Sequence, residues 1–230
     1  MQAIILAGGF GTRLRSVIAD VPKPMAPING KPFLAYLIDY LKSQGVTKVI
    51  LSVHYLREKI QDYFQECYEG LSIQYVLEDE PLGTGGAILN ALQCIDSDEP
   101  LFVLNGDTFL RMDYKKMLAQ HHKNSPNISM ALRKIADCSR YGVVHVDAGC
   151  VTAFQDQGED KPGLINAGVY LLTKKLFAKF AAPKQFSFER DFLFPQIAQI
   201  HPEAFVVEDY FIDIGVPEDY ERAALDFVNF

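Results

Sequence analysis

The sequence has no run of eighteen apolar residues, which excludes a membrane-spanning helix of ordinary length. The short apolar stretch from Ala3 to Ala7 has no cationic residue before it and is too brief for a secretory signal, so a soluble, cytoplasmic protein is expected. Cysteine is scarce: Cys67, Cys94, Cys138 and Cys150 stand far apart with no Cys-x-x-Cys pair. Their spacing offers neither a zinc cluster nor a disulfide framework, and buried thiols are expected. Basic charge is also in deficit. Lys and Arg number 22 against 29 Asp and Glu, a net charge of −7, which excludes a general surface for nucleic acid or anionic membrane. Linkers, internal repeats and low-complexity segments are missing, so the 230 residues read as a single domain with one substantial core. Tryptophan is absent too. The 16 Phe and 11 Tyr still leave apolar area for a homodimer contact, but no stripe locates it.

What the sequence does have is alternation. "AIILA" reads as a buried strand. "PFLAYLIDYLKSQG" reads as a helix opened by Pro32, apolar at Phe33, Leu34, Leu37 and Leu41 and stopped at Gly45. "KVILSVHY" is a strand, "REKIQDYFQECYEG" a helix ending at Gly70, and "SIQYVLE" a strand. "GGAILNALQCI" and "DYKKMLAQHH" are helices, and "PLFVLN" and "NISMALRKI" strands, with His121 and His122 facing solvent at a helix end. This order implies crossover connections and an α/β fold built on a mostly parallel sheet. After residue 140 the pattern changes. "YGVVHVDAGCVTAFQD" folds back around Asp147-Ala148-Gly149, and "GLINAGVYLLT" follows, which together imply a small antiparallel insertion beside that sheet. "FERDFLFPQIAQI" and "PEDYERAALDFVNF" return to helix around one strand-like run, "AFVVEDYFIDI". Residues 1–135 form the first part of the domain and 136–230 the second, with closing helices.

Between the first strand and Pro32 lie more than twenty residues without periodicity, and irregular loops of that length usually carry function. Gly8, Gly9 and Gly11 allow backbone N–H groups to approach an anion. The loop is not a dinucleotide fingerprint, because Leu14 stands where its third glycine belongs, which argues against a nicotinamide-binding dehydrogenase. It is not a P-loop either, since no Gly-Lys-Ser/Thr opens a helix. Positive charge gathers here: Arg13, Arg15, Lys23 and Lys31 against Asp20 give +3 over residues 1–31, while the rest of the chain carries −10. Pro22 and Pro24 flank Lys23 and are expected to hold it extended. Arg13 offers a planar fork and Lys23 a point charge, together matched to a polyphosphate.

Two aspartates end apolar runs far apart in the sequence. Asp107 follows "PLFVLNG" and Asp213 lies in "FIDIG". Asn105-Gly106 would suit a hairpin turn, but no alternating partner strand follows Asp107. A lone strand-end aspartate also suits a cap or turn, whereas a pair fits Mg²⁺, which takes one or two protein carboxylates alongside phosphate oxygens and water. Glu78 is a second carboxylate of interest, because guanine presents adjacent N1–H and N2–H donors that one carboxylate accepts together, while an isolated glutamate also suits a charged rim.

"LAGGFGTRL" followed by "PKPM" resembles the joint signature of the sugar-1-phosphate nucleotidyltransferases, and the similarity runs through "EPLGTGGA", "LNGD", "YGVV", "INAGVYLL" and "FIDIGVPEDY". The resemblance is strongest to the guanylyltransferases of heptose 1-phosphate, with mannose- and hexosamine-phosphate enzymes next. It implies a Rossmann-like, three-layer nucleotide-diphosphosugar transferase fold. It also implies transfer of GMP from GTP to a sugar 1-phosphate with Mg²⁺ as cofactor. On this resemblance Arg13, Lys23 and Asp107 are catalytic, and Asp107 with Asp213 holds the metal. The nucleotide falls to Leu6, Ala7, Gly8, Gly9, Gly11, Thr12 and Arg13 on the first loop. Glu78, Pro81, Gly83, Thr84, Gly85 and Gly86 are expected around the base, the glycines letting a flat ring approach the backbone. Asn105, Gly142, Asp156 and Asn166 fall to the sugar phosphate. The family commonly has Glu-Lys where this chain has Asp156-Gln157, so a cation is missing unless Lys161 reaches in. That departure keeps a catalytically silent sugar-nucleotide sensor open beside the mannose 1-phosphate, uridylyl and thymidylyl alternatives.

Overall fold

A computed structural model of the chain describes residues 1–9, 11, 14 and 20–229. Strand β1 (Gln2–Leu6) leads to a 3-10 turn at Lys23–Met25 and a short hairpin of β2 (Pro27–Ile28) and β3 (Lys31–Pro32). Helix α1 (Phe33–Ser43) starts directly after Pro32, whose extended backbone turns the chain into the helix from just outside it. The helix buries Phe33, Leu34, Leu37 and Leu41, as their spacing predicts.

Next come β4 (Lys48–Val53) and α2 (Arg57–Phe64). Helix α2 does not run to Gly70. It stops at Phe64, where Gln65 takes φ +52°, and Gly70 serves instead in the tight turn between β5 (Cys67–Tyr68) and β6 (Leu71–Leu77). Glu69 and Gly70 both have positive φ there, the geometry a two-residue hairpin turn requires. Helix α3 (Gly83–Leu92), β7 (Leu101–Asn105), β8 (Thr108–Leu110), α4 (Tyr114–Asn124) and β9 (Ile128–Ile135) follow.

In the second part, β10 (Val143–Asp147) and β11 (Cys150–Gln155) form the expected hairpin, with Ala148 and Gly149 at φ +46° and +80°. Strand β12 (Gly163–Leu172) precedes a π-helical segment at Phe188–Leu193 and the short α5 (Ile197–Ile200), so one continuous helix over "FERDFLFPQIAQI" does not form. "AFVVEDYFIDI" splits into β13 (Glu203–Val207) and β14 (Phe211–Asp213), after which α6 (Pro217–Asp226) begins with proline at its first position.

Ten strands make one sheet in the order β10-β11-β13-β9-β12-β7-β1-β4-β6-β5. The run β7-β1-β4-β6 is parallel, with Ile4 beside Ile50 and Val103, and Val49 beside Ile73. The antiparallel strand β12 is inserted between β7 and β9 rather than added at an edge. Side chains alternate across this sheet and divide the core in two. Ala3, Ile5, Val49, Leu51, Phe102 and Leu104 face one cluster with α1 and α4, while Ile4, Ile50, Leu101 and Val103 face the other with α3 and the π-helical segment. The result is helices on both faces of a mixed sheet, three layers in all. Of the cysteines only Cys138 is buried; Cys67 lies exposed on the edge hairpin.

Candidate functional site

The carboxyl ends of β1 and β7 open into a cavity of about 400 Å³, the position where open α/β sheets bind ligands. Leu6, Gly8, Gly9 and Gly11 line one side, Asn105 and Asp107 a second, and Glu78, Pro81, Gly83 and Thr84 a third, with Lys23 between them. Ala7 faces the core, its N–H donating to the Ser52 carbonyl at 2.8 Å. Gly11 has φ +58°, and a Cβ there would stand 2.8 Å from the Lys23 Cβ, so glycine is what allows the loop to close over the lysine. Thr12 and Arg13 lie outside the described residues.

Lys23 opens a 3-10 turn rather than lying extended, with Met25 N–H donating to Pro22 O at 2.7 Å and Ala26 N–H to Lys23 O at 3.0 Å. The two successive turns override the extended preference that Pro24 imposes on its neighbour. The ammonium is brought to Asp107 Oδ2 at 2.6 Å and to Asp213 Oδ1 at 3.4 Å, with the lysine side chain only 10% exposed. Strand pairing explains the convergence of residues so distant in sequence. Strand β8 pairs not with β7, as a hairpin at Asn105-Gly106 would require, but with β14, in a register that sets Asp213 opposite Thr108. Ile214 N–H then donates to Asp107 O at 3.1 Å. Burial raises the Asp213 pKa, the neighbouring Asp107 charge adds to that, and Lys23 pulls it back down. Two converged carboxylates already bridged by a cationic group form a hard-oxygen donor set that fits Mg²⁺.

Glu78 is not a rim charge. It is 5% exposed, accepts from Ser52 Oγ at 2.8 Å and from Leu82 N–H at 3.1 Å, and its backbone carbonyl meets His54 Nδ1 at 2.7 Å. Its two oxygens are fixed at the cavity wall with lone pairs to spare. Gly85 and Gly86 have a different reason from close approach of a base. A Cβ at Gly85 would lie 2.1 Å from the Phe186 ring and one at Gly86 2.8 Å from Lys184 O, so these glycines admit the 184–186 segment against α3.

The sugar-side residues divide between two spaces. Asn105 lines the first cavity, while Gly142, Asp156 and Asn166 line a neighbouring one of about 380 Å³. A bulge in β12 presents Asn166 there. Asn166 is opposite Leu132 and Tyr170 opposite Met130, so β12 carries two extra residues over that interval. Gly168 in the bulge has φ +67° and lets Asn105 approach its backbone. Lys161 does not reach in: it is 60% exposed and paired with Glu159 at 2.9 Å. The cation that lines this second cavity is Arg190, whose guanidinium forms no ion pair among the described residues. Sequence reading missed Arg190, Glu189 and Ser187. The available signal was Ser187 three residues before Arg190, a helix-cap spacing; Ser187 Oγ accepts from Arg190 N–H at 3.2 Å. No helix among the described residues is long and apolar enough to cross a membrane.

Residues 2–229 match the family model described as "Nucleotidyl transferase". The chain is 50% identical over 221 residues to the D-glycero-alpha-D-manno-heptose 1-phosphate guanylyltransferase of Campylobacter jejuni, covering 96% of this chain and 97% of the relative. It is 44% identical over 230 residues to the enzyme of the same name from Aneurinibacillus thermoaerophilus, covering all of both. The crystal structure of HddC from Yersinia pseudotuberculosis complexed with GMP-PN superposes with a TM-score of 0.88 at 41% identity, over 98% of this chain and 99% of that one. By sequence along nearly its whole length and by fold, the chain belongs to the nucleotidyl transferase family.

Proposed function

We propose that the chain transfers GMP from GTP to a sugar 1-phosphate, with D-glycero-D-manno-heptose 1-phosphate as the favoured acceptor, giving a GDP-sugar and pyrophosphate. The observation that carries this reading is the convergence of Lys23, Asp107 and Asp213 beside a glycine-lined cavity. Its support comes equally from relatives that act on heptose 1-phosphate and from a structural neighbour complexed with GMP-PN.

The sugar phosphate, with a second pKa near ~6, is largely dianionic at neutral pH. Its oxygen attacks the α-phosphorus as the bond from that phosphorus to the bridging β-phosphate oxygen breaks, and pyrophosphate departs with the electron pair. No side chain has to take a proton. The protein's work is to align two anions and to offset the charge that builds on the α-phosphoryl oxygens. Lys23 and the amides of Gly8, Gly9 and Gly11 offset that charge, and Arg13 belongs to the same set by sequence. Asp107 and Asp213 are the residues that would hold Mg²⁺, which when bound supplies charge neutralisation on phosphate oxygens. Glu78 accepts the paired N–H donors of guanine, and its fixed carboxylate disfavours uracil, which has one such donor. Gly142, Asp156 and Asn166 receive the sugar, with Arg190 as the nearby cation in place of the family lysine.

The test is pyrophosphate release from GTP, UTP, dTTP and ATP, each with heptose and mannose 1-phosphates, in the presence of magnesium and of a chelator. Magnesium-dependent release with GTP and heptose 1-phosphate is expected. Preference for UTP would overturn the guanine assignment, and GTP binding without release for any pair would make the protein a sensor.

A further inference from the structure

The two cavities are joined by one carboxylate that the proposed chemistry does not use. Glu189 Oε2 accepts from Thr84 Oγ1 at 2.9 Å and from Ser187 Oγ at 3.2 Å, while Oε1 accepts from Tyr170 OH at 3.0 Å. Tyr170 in turn accepts from Asn166 Nδ2 at 2.6 Å, and Asn166 Oδ1 accepts from Gly168 N–H at 3.1 Å. Thr84, the second residue of α3, lines the first cavity, proposed for the nucleotide, and Asn166 lines the second, proposed for the sugar. From these bonds we infer that Glu189 is a positioning residue for both substrates, setting Thr84 on the nucleotide side and, through Tyr170, the amide of Asn166 on the sugar side.

Proton counting makes the arrangement directional. Thr84 Oγ1 accepts from Phe188 N–H at 2.8 Å and gives its own proton to Glu189, whose carboxylate oxygens can only accept. Tyr170 is buried, and its hydroxyl proton goes to the same carboxylate, which obliges Asn166 to present its NH₂ to the tyrosine and turn Oδ1 toward Gly168. The orientation of the Asn166 amide, and with it the donor and acceptor it offers a sugar hydroxyl, is therefore set from both ends, by Gly168 N–H at Oδ1 and by Glu189 through Tyr170 at Nδ2. A carboxylate is required because it has two acceptor oxygens. A glutamine has one, and can satisfy Tyr170 or the Thr84–Ser187 pair but not both at once. The segment is held firmly enough for this role: Ser187 N–H donates to Asp191 Oδ2 at 2.6 Å, Gly85 N–H donates to Phe186 O at 3.0 Å, and Phe188 is fully buried.

This inference rests on guanylyl transfer to a sugar phosphate, so the unmodified chain is assayed beside the variants for KM of GTP and of heptose 1-phosphate, for kcat and for thermal unfolding. Glu189→Gln is expected to raise both KM values about tenfold, the loss of about one charge-assisted hydrogen bond on each side, with kcat changed less. Thr84→Val should raise only the KM for GTP and Tyr170→Phe only that for the sugar phosphate, which a merely structural defect would not separate. If the Glu189→Gln protein unfolds early, the Thr84→Val and Tyr170→Phe pair decides the matter alone. KM values within twofold of the unmodified chain, or both single variants shifting both substrates alike, would overturn the positioning role. A lack of pyrophosphate from the unmodified chain would instead sink guanylyl transfer itself.

Discussion

Lys23 keeps two aspartates together that would otherwise repel, and this separates their role in the fold from their role with substrate. Stripping divalent ions with a chelator should therefore abolish pyrophosphate release while leaving the circular dichroism spectrum and unfolding midpoint nearly unchanged. Asp107→Asn keeps the shape but removes a charge, and should lower kcat by about 10²–10³, comparable to losing one preorganised electrostatic group at a reacting centre. Retention of activity at saturating magnesium would exclude Asp107 as a required ligand. On the sugar side, Arg190→Ala should raise the KM for the sugar phosphate about tenfold and leave that for GTP within twofold, the size expected of a charged hydrogen bond. Lys23, Asp107 and Asp213 were legible in the sequence because each sits in a short motif whose neighbours explain it. Glu189 and Arg190 were not, since what gives them meaning is contact with residues such as Thr84, 105 positions away.

At the scale of elements, α4 is fastened to the sheet by a buried polar chain. His121 is 3% exposed, not solvent-facing, and its Nδ1 meets Ser129 Oγ at 2.8 Å, while that hydroxyl donates to Glu203 Oε2 at 2.8 Å. Because the serine proton goes to Glu203, His121 Nδ1 is the donor. Asn124 adds a bond to the other oxygen of Glu203. Ser129→Ala should cost about 1–3 kcal/mol in denaturant unfolding by stripping partners from buried groups. Burial lowers the His121 pKa, against the pull of Glu203 and with a push from His122, so the folded form resists protonation. Below the unfolded value of about 6.5 the unfolded chain binds the extra proton first, and stability falls as pH falls toward the lowered folded value. Urea midpoints should drop between about pH 7.5 and about pH 5.5 in the natural chain, and His121→Gln should flatten that slope. The burial could have been read from the sequence, since His121 lies seven residues after Tyr114 and four after Met117, on the same apolar stripe. Gly85→Ala tests the other layer. A methyl directed 2.1 Å from the Phe186 ring should destabilise by about 1–3 kcal/mol through overpacking.

For the molecule as a whole, one ten-stranded sheet lies in both core clusters, so the two sequence parts should melt together in a single calorimetric transition. GTP with magnesium at about a hundred times its Kd should add about 2.7 kcal/mol, or about 5–10 °C in a domain of this size. The alternation of strands and helices made the three-layer class legible from sequence. The path was not, because the place of β12 between β7 and β9 is fixed by long-range pairing rather than by any local pattern. The ribbon of β8 with β14 carries a last consequence. The glycine loop, Lys23 and Asp107 all leave the ribosome well before Phe211–Asp213 can pair with Thr108–Leu110. A polypeptide that stops before Phe211 lacks both the partner of β8 and the second carboxylate at Lys23, so the aspartate pair can assemble only after translation has passed Asp213.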